Sequence, residues 1–578
     1  MHVEPIVAAD QPSRLVSGAY CWRITLVLAS VATLAILLCP FIPLGVPDEW
    51  TWTRHAFASS AGEWMDRFLP GIVVGILLFI LAVFGDRRIS KYGQIRHALL
   101  IIALTLLTVA WQNAAGRSAP TPHREVKSWW IVYDRFASGY FYEAAFKINS
   151  MDELLTGYEE RMAEGDVLHV GTHPPGLFML CVTALNLTHN QDSFVDVLRN
   201  IRSRETEILF RELEATARMN RPLSQAELAA LQLVSSISIL FAAMSVIPVY
   251  LLASTIAGRT SGWRAACLCA TIPTLVIFTP KSDVIFAFTG TLFLWLTVVA
   301  GLTSHLRVRI LSSLAAGILL FAGMLLSLAH LPCIVVAFAF AVLQLGQNQA
   351  TRPRSIFAAV GMMVLSWAGC VLLFDVITDC NLLNVWRMNL MNHEGFYETS
   401  PRTWWIWTLV NPLELTLAVG GALMLAGGRN VFDSFRILLR NLRSNRSSSM
   451  IPSTDQQLVK VRAGTLEQDP NEAGSPSKPN PGVPAIDSAC SALMVSMAAT
   501  WVILWLSGKN MGEAARLWCF LVPWIAIVAG CSFRHLPFGQ SGSGQASYES
   551  DKTNFSILIG LQIVCSLITV SVVNGFSV

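Results

Sequence analysis

Apolar residues in this chain come in long blocks separated by short polar stretches, the pattern of membrane helices rather than of a water-facing domain. Blocks near 22–43, 69–84, 98–111, 228–256, 263–279, 284–302, 310–326, 328–345, 356–377, 405–426, 489–506, 514–531 and 555–573 predict an all-α polytopic membrane protein of about 13 transmembrane helices, with amphipathic juxtamembrane helices in the outer loops. The first block is too long for a signal-peptide core and no small-residue cleavage pattern follows it, so it reads as a retained anchor. A further stretch, 177–187, is short for a span and is expected to be half-buried or re-entrant. The mixed-charge segment 192–221 would then lie along the outer surface.

Basic residues orient these blocks. The segment DRRISKYGQIR, 86–96, is short and basic and belongs on the cytoplasmic side. Arg259 with Arg264, Arg307 with Arg309, and Arg352 with Arg354 repeat the signal at alternate loops. Arg429, Arg436, Arg440, Arg443 and Arg446 repeat it most strongly. The alternation turns 45–68, 113–174, 280–283, 378–404 and 507–513 outward. Stretches 444–488 and 537–554, poor in large apolar residues, read as disordered cytoplasmic loops. The chain thus divides into an N-terminal anchor with added spans (1–96), a core with outer loops 113–227 and 378–404 (97–443), the 444–488 loop, and C-terminal spans (489–578).

Composition supports the membrane reading, with 53% hydrophobic and 14% charged residues. The net charge of +3 is too small to suggest a nucleic-acid partner. Of the 12 cysteines, Cys267 and Cys269 are the closest pair, a CxC that is neither a zinc knuckle nor a redox CxxC. The cysteines read as small packing residues.

The spans carry little charge, which favours chemistry at the outer membrane surface over a conduit through it. In VPDEWTWTRH, 46–55, Asp48 and Glu49 stand beside tryptophans suited to the headgroup level. In 133–162, Asp134 and Glu143 flank Tyr140, Phe141, Tyr142 and Phe146, a setting that would desolvate a carboxylate and raise its basicity. HVGTHPPG, 169–176, forms a rigid elbow presenting His173, because paired prolines fix φ and disfavour helix before them. His169 and His173 would suit a metal pair only on a helix, which the prolines and Gly171 oppose. FTPKSDV, 278–284, places Lys281 and Asp283 in a tight outward turn. Capping by Ser282 or Asp283 accounts for such a turn; the functional reading is a second acid with a lysine able to hold a phosphate. His393, Arg402, Lys509 and Arg516 complete the outward polar set. Snorkelling explains a basic residue at a span end, but Arg516 lies within the start of a span, where its fork could hold two phosphate oxygens.

At these residues the chain resembles polytopic glycosyltransferases of the GT-C class, in the branch of protein mannosyltransferases and aminoarabinose transferases. The resemblance lies in an acidic outer loop (Glu143 or Asp134), the elbow 173–176, the P-x-x-D turn 280–283 and a late G-E-x-x-R-x-x-x-F-x-x-P at 512–523. It implies transfer of a sugar from a polyprenyl-phosphate donor to an acceptor on the non-cytoplasmic face, with inversion. A carboxylate (Glu143, Asp134, Asp48 or Asp283) would act as base. His173, Lys281, His393, Arg402, Lys509 and Arg516 would bind substrate and phosphate. A divalent cation (Mg or Mn) is an optional cofactor, the acceptor is undefined, and the setting would be a bacterial inner membrane. The family's acid follows its first span shortly before the elbow, whereas here two spans separate PDEW from THPPG, which ranks Glu143 and Asp134 ahead of Asp48. The alternatives are a transporter or flippase of a lipid-linked or anionic substrate, and an inactive scaffold. A transporter would want mid-membrane ionisable groups; His330, Asp375 and Glu414 are present but form no evident relay.

Overall fold

The computed structural model describes residues 11–575 apart from 57, 167–170, 217–220, 347–351, 450–482 and 533–543. In chain order the helices are α1 (Gln11–Leu38), α2 (Ala61–Arg88), α3 (Gln94–Gly116), α4 (His123–Tyr133), α5 (Tyr140–Phe146), α6 (Met151–Thr156), α7 (Tyr158–Ala163) and α8 (Gly176–His189). There follow α9 (Asp192–Asn200), α10 (Arg204–Thr216), α11 (Gln225–Met244), α12 (Val246–Ala257), α13 (Arg259–Ala270), α14 (Pro273–Ile277), α15 (Ile285–Leu302), α16 (Leu306–Leu326), α17 (Leu331–Leu345) and α18 (Arg352–Thr378). The series closes with α19 (Leu382–Thr399), α20 (Trp404–Val419), α21 (Gly421–Ser449), α22 (Val483–Leu506), α23 (Ala514–Leu517), α24 (Val522–Cys531) and α25 (Gly544–Val572).

The chain is an all-α polytopic membrane protein but for one small β-ribbon. Among the described residues, 10 helices are long and apolar enough to cross a bilayer, or 11 if α20 and α21, bent by 113°, count as one span. The expectation of 13 is therefore too high, for physical reasons that differ from block to block. Block 263–279 breaks at Thr271–Ile272 ahead of Pro273, and α13 is buried at every position from Ser261 to Ala270, so it is apolar because it packs in protein. Block 514–531 breaks before Pro523 and leaves α24 only 10 residues long. Block 405–426 bends at Gly420, where φ is +106°.

The α8 stretch is a 14-residue helix. The elements after it are tied to α4 and to one another: Thr206 on α10 donates to the Glu125 carbonyl of α4 at 3.1 Å, and Gln232 on α11 donates to the Leu198 carbonyl of α9 at 3.2 Å. α8 itself packs against α5 and α11. The signature S-x-x-E at 224–227 forms a full capping box that starts α11, and Arg221 holds Glu227 at 2.6 and 2.8 Å.

Between α1 and α2 the chain forms a hairpin of β1 (Leu44–Val46) and β2 (Trp50–Arg54), with Leu44 opposite Trp52 and Val46 opposite Trp50. Alternation in W-T-W-T-R buries Trp52 and exposes Thr51 and Thr53. The three-residue loop 47–49 puts Asp48 at φ +67°, the left-handed conformation that such a loop needs and that Asp tolerates. β3 (Val573–Asn574) pairs with Thr53 and Arg54, so the C-terminal span ends on the same face as this hairpin. Arg54 donates to the carbonyls of Leu37, Ile36 and Ile42, satisfying the open end of α1.

Of the two stretches expected to be disordered, 444–449 and 483–488 are helical in α21 and α22, and 450–482 lies outside the described residues. Residues 544–554 likewise extend α25, since an existing span propagates helix into polar sequence more readily than that sequence nucleates it. Residues 533–543 lie outside the described residues.

Candidate active site

The hairpin is tied to α20 through Glu49. Its carboxylate accepts from the Thr403 amide at 2.9 Å, the Thr403 hydroxyl at 2.5 Å and the Trp407 indole at 2.6 Å. Burial works against this charge, but those bonds and the nearby Arg402 outweigh it and hold Glu49 below the usual carboxylate range. Asp48, one residue earlier, is exposed, and among the described residues its carboxylate has no hydrogen bond or ion pair. One acid of the PDEW pair therefore anchors the turn and leaves the other open.

Arg402 extends the tie to the late outer loop. It donates to the Met511 carbonyl at 2.9 Å and lies between the rings of Trp50 and Trp407, 5.9 and 5.6 Å away. Asn411 and Glu414 hold the same loop from α20: the Asn411 amide donates to the Asn510 carbonyl at 2.7 Å, the Gly512 amide donates to Asn411, and the Ala515 amide donates to Glu414 at 3.1 Å. Tyr397 on α19 closes it, donating to the Lys509 carbonyl at 2.7 Å. Gly512 is required here, with φ +79° and the Arg402 guanidinium in the space a Cβ would fill. Lys509 itself is exposed. His393 is half-buried on α19, and loss of solvent, then Lys509, push its pKa down.

The strapped loop delivers Glu513 and Arg516. Glu513 sits in the left-handed region at φ 55° and pairs with Arg516. Arg516 is half-buried; loss of solvent opposes its charge, and Glu513, then Asp283, outweigh that effect. On the facing turn, Lys281 is 2% exposed, donates to the Ala137 carbonyl and lies 5.7 Å from the Tyr140 ring. Burial pulls Lys281 down to about 7, with Asp283 acting in the opposite direction. Asp283 is 8% exposed and close enough to act on Lys281, Tyr140 and Arg516, yet makes no ion pair or hydrogen bond through its carboxylate among the described residues.

Tyr140 joins this node to the elbow. Its ring meets the edge of His173 at 5.4 Å and of Phe178 at 5.2 Å. Burial, then Asp283, push the Tyr140 phenol well above its ordinary value. The elbow is pinned from outside: Tyr158 donates to the His173 carbonyl at 2.8 Å, Asn389 to the carbonyls of Gly171 and His173 at 3.1 and 3.2 Å, and Asn392 to Gly171 at 2.9 Å. Gly176 lets α8 start against the end of α16, where a Cβ would lie 2.5 Å from the Leu325 carbonyl. His169 lies outside the described residues.

His173, Lys281, Asp283 and Arg516 therefore come together from three distant parts of the chain, with Arg402 and the hairpin adjoining through the 507–513 loop. Two of the acids expected from sequence are already engaged. Glu143, 2% exposed, is paired with Lys147 at 2.9 Å and Arg161 at 3.3 Å. Asp134 accepts from the amides of Phe136 and Ala137 at 3.0 and 2.7 Å, an Asx turn that shapes the approach to α5. Sequence reasoning noted the stretches that hold Glu49, Tyr140, Glu513 and Asn389 but gave none of the four a role at the site. His330, at the turn between α16 and α17, is satisfied locally, at 2.7 Å from the Thr289 hydroxyl and 3.0 Å from the Ser327 carbonyl.

Among the described residues no three His, Cys, Asp or Glu side chains gather closely enough to hold a metal ion. Of the groups at the node, Asp283 alone offers a carboxylate not already paired, and its neighbours Lys281 and Arg516 are cations. This donor set does not fit a divalent-ion site.

No family model and no curated protein matches the chain. Among solved structures, it is similar to the crystal structure of the Archaeoglobus fulgidus oligosaccharyltransferase complex with Zn and sulfate, at 12% identity and a TM-score of 0.44, over 87% of this chain and 54% of that one. It is also similar to archaeal oligosaccharyltransferase AglB from Archaeoglobus fulgidus in complex with an inhibitory peptide and a dolichol-phosphate, at 13% identity and a TM-score of 0.41, over 88% of this chain and 56% of that one. The chain thus spans about half the length of each.

Proposed function

We propose that the protein is a membrane glycosyltransferase of GT-C type, taking a sugar from a polyprenyl-phosphate donor and passing it to an acceptor hydroxyl on the non-cytoplasmic side. One observation carries this reading: residues from the 280–283 turn, the elbow and the 512–516 loop form a node in which the unpaired Asp283 carboxylate stands beside the phosphate-compatible cations Lys281 and Arg516. In the proposed chemistry, Arg516 and Lys281 bind the donor phosphate and stabilise the charge that grows on it as the C–O bond breaks. Asp48, carried on the turn that Glu49 fixes, is the proposed base that takes the acceptor proton. Asp283 holds Arg516 and Lys281 charged and oriented. His173 contacts the sugar or phosphate from the elbow. The acceptor oxygen bonds to the anomeric carbon with inversion, and the lipid phosphate leaves with the bonding pair.

A flippase would use the same outer cations. His330, at the turn between α16 and α17, is fully engaged by neighbours, which removes one member of any relay and supports transfer over transport. The test is the purified chain in vesicles with radiolabelled polyprenyl-phosphate sugars and a crude membrane acceptor fraction. Label leaving the lipid in wild type, and staying on it with Arg516→Ala, supports the reading. Intact labelled lipid crossing the bilayer without transfer overturns it.

A further inference from the structure

A second basic cluster lies on the outer side, away from the node just described. His55 follows β2, and its amide donates to the Val572 carbonyl at 2.8 Å. Its ring packs on His123 at 4.6 Å. Lys127, one turn further along α4, donates to the Ile277 carbonyl, and Arg67 on α2 donates to the carbonyls of Ser118 and Ala56 at 2.9 and 3.2 Å. The charged or basic groups acting on His55 are His123, Lys127 and Arg67, and no acid acts on Lys127. The acids at the margin are Glu63, 3.5 Å from Arg67, and Asp66 and Glu125, both of which pair with Arg124. His55 is 9% exposed and its ring has no hydrogen bond among the described residues; Nδ1 of His123 is buried and unpartnered. Among the described residues no acid pairs with His55, His123 or Lys127, and basic groups held out of water in this way normally answer to an anion.

Directly below this cluster runs an apolar groove of about 530 Å³ between α2 and α25. Phe68, Ile72, Ile76, Ile563 and Leu567 line it, and Arg67, Ser571 and Val572 close its outer end. Both walls are membrane-spanning helices, so the groove opens at acyl-chain depth while the basic cluster stands at headgroup depth.

We propose that this groove and cluster hold one anionic phospholipid of the bilayer, an acyl chain lying along α2 and α25 and the phosphate received by His55, His123 and Lys127. Lys127 keeps two ammonium protons beyond the bond to Ile277, and each imidazole can donate once protonated. Without an anion, burial pulls His55 down to about 3 and Lys127 to about 8. A bound phosphate acts in the opposite direction and restores their charge. Because the cluster joins β2, α4 and the C-terminal end of α25, the lipid would also brace the hairpin that carries Asp48.

The test uses the full chain in detergent micelles, titrated with phosphatidylglycerol or phosphatidylcholine, with retained lipid counted by native mass spectrometry. Wild type is compared with the double variant His55→Gln, Lys127→Gln, and with Ile76→Trp, which fills the groove from a position 54% exposed. Phosphatidylglycerol should be held about tenfold more tightly by wild type than by either variant, with no such difference for phosphatidylcholine. If the double variant does not fold, Ile76→Trp decides alone. Equal phosphatidylglycerol retention in wild type and variants overturns the proposal. So does a preference for polyprenyl phosphate over phosphatidylglycerol in the groove, which would make it part of the donor site. The readout is lipid retention, so it stands apart from any loss of sugar transfer.

Discussion

Two buried carboxylates, Glu143 and Asp283, sit among cations in this molecule, and they differ in one respect. Glu143 is closed: Lys147 and Arg161 meet its two oxygens directly. Asp283 is open: Lys281 and Arg516 stand near enough to feel it, but neither forms an ion pair with it. A closed set satisfies itself and has nothing left for a ligand. In the open set the carboxylate orients its cations without occupying them: Arg516 is paired with Glu513 rather than with Asp283, and Lys281 keeps ammonium protons for an incoming phosphate. The difference separates scaffold from site where composition alone does not.

The largest effect expected from the open side is at the base. Asp48→Asn should lower transfer by about 10²–10⁴-fold, the usual contribution of a positioned general base, with donor binding unchanged. Equal loss of donor binding would place Asp48 on the donor sugar's hydroxyls instead of at the acceptor proton. Asp283→Asn should lower the transfer rate by roughly 10–100-fold by loosening Arg516 and Lys281, while Glu143→Gln should leave turnover of the folded protein within about threefold. A reversal of that order would erase the distinction between the two carboxylates.

Glu143→Gln should show itself in stability. Breaking a buried ion pair costs about 3–5 kcal/mol, but Lys147 and Arg161 are 47% and 21% exposed and can rehydrate, so about 1–2 kcal/mol is expected. Thermal unfolding in detergent reads this directly. The smallest effect is in pH. With Lys281 pulled down to about 7, its charge is present below that value and lost as pH rises through it, so donor affinity should fall between about pH 6 and 8. Lys281→Arg should flatten that profile, because guanidinium stays charged throughout.

Much of this arrangement is legible in the chain. Loop arginines placed 280–283 and 507–513 on one side, and Lys281, Asp283 and Arg516 do share a node. The spans were overcounted because hydropathy cannot distinguish apolar contact with lipid from apolar contact with protein: α13 is buried all round by neighbouring helices. The hairpin escaped notice because a strand of three residues, Leu44–Val46, carries no measurable period. Yet Pro-Asp after an apolar block and the W-T-W-T alternation were its signals. Glu143 looked reactive because aromatic neighbours suggest desolvation, while Arg161, 18 residues on, was invisible as its partner. Glu49 and Asn389 act across separations of more than 200 residues, which no local pattern encodes.

The central claim is that the open node, and not the closed one, receives the donor phosphate. Binding of a short-chain polyprenyl phosphate to the purified protein, compared among wild type, Arg516→Ala and Arg161→Ala, tests it most directly. The account predicts roughly 10–100-fold weaker binding for Arg516→Ala and unchanged binding for Arg161→Ala. Equal affinities for wild type and Arg516→Ala, or a loss confined to Arg161→Ala, would contradict it.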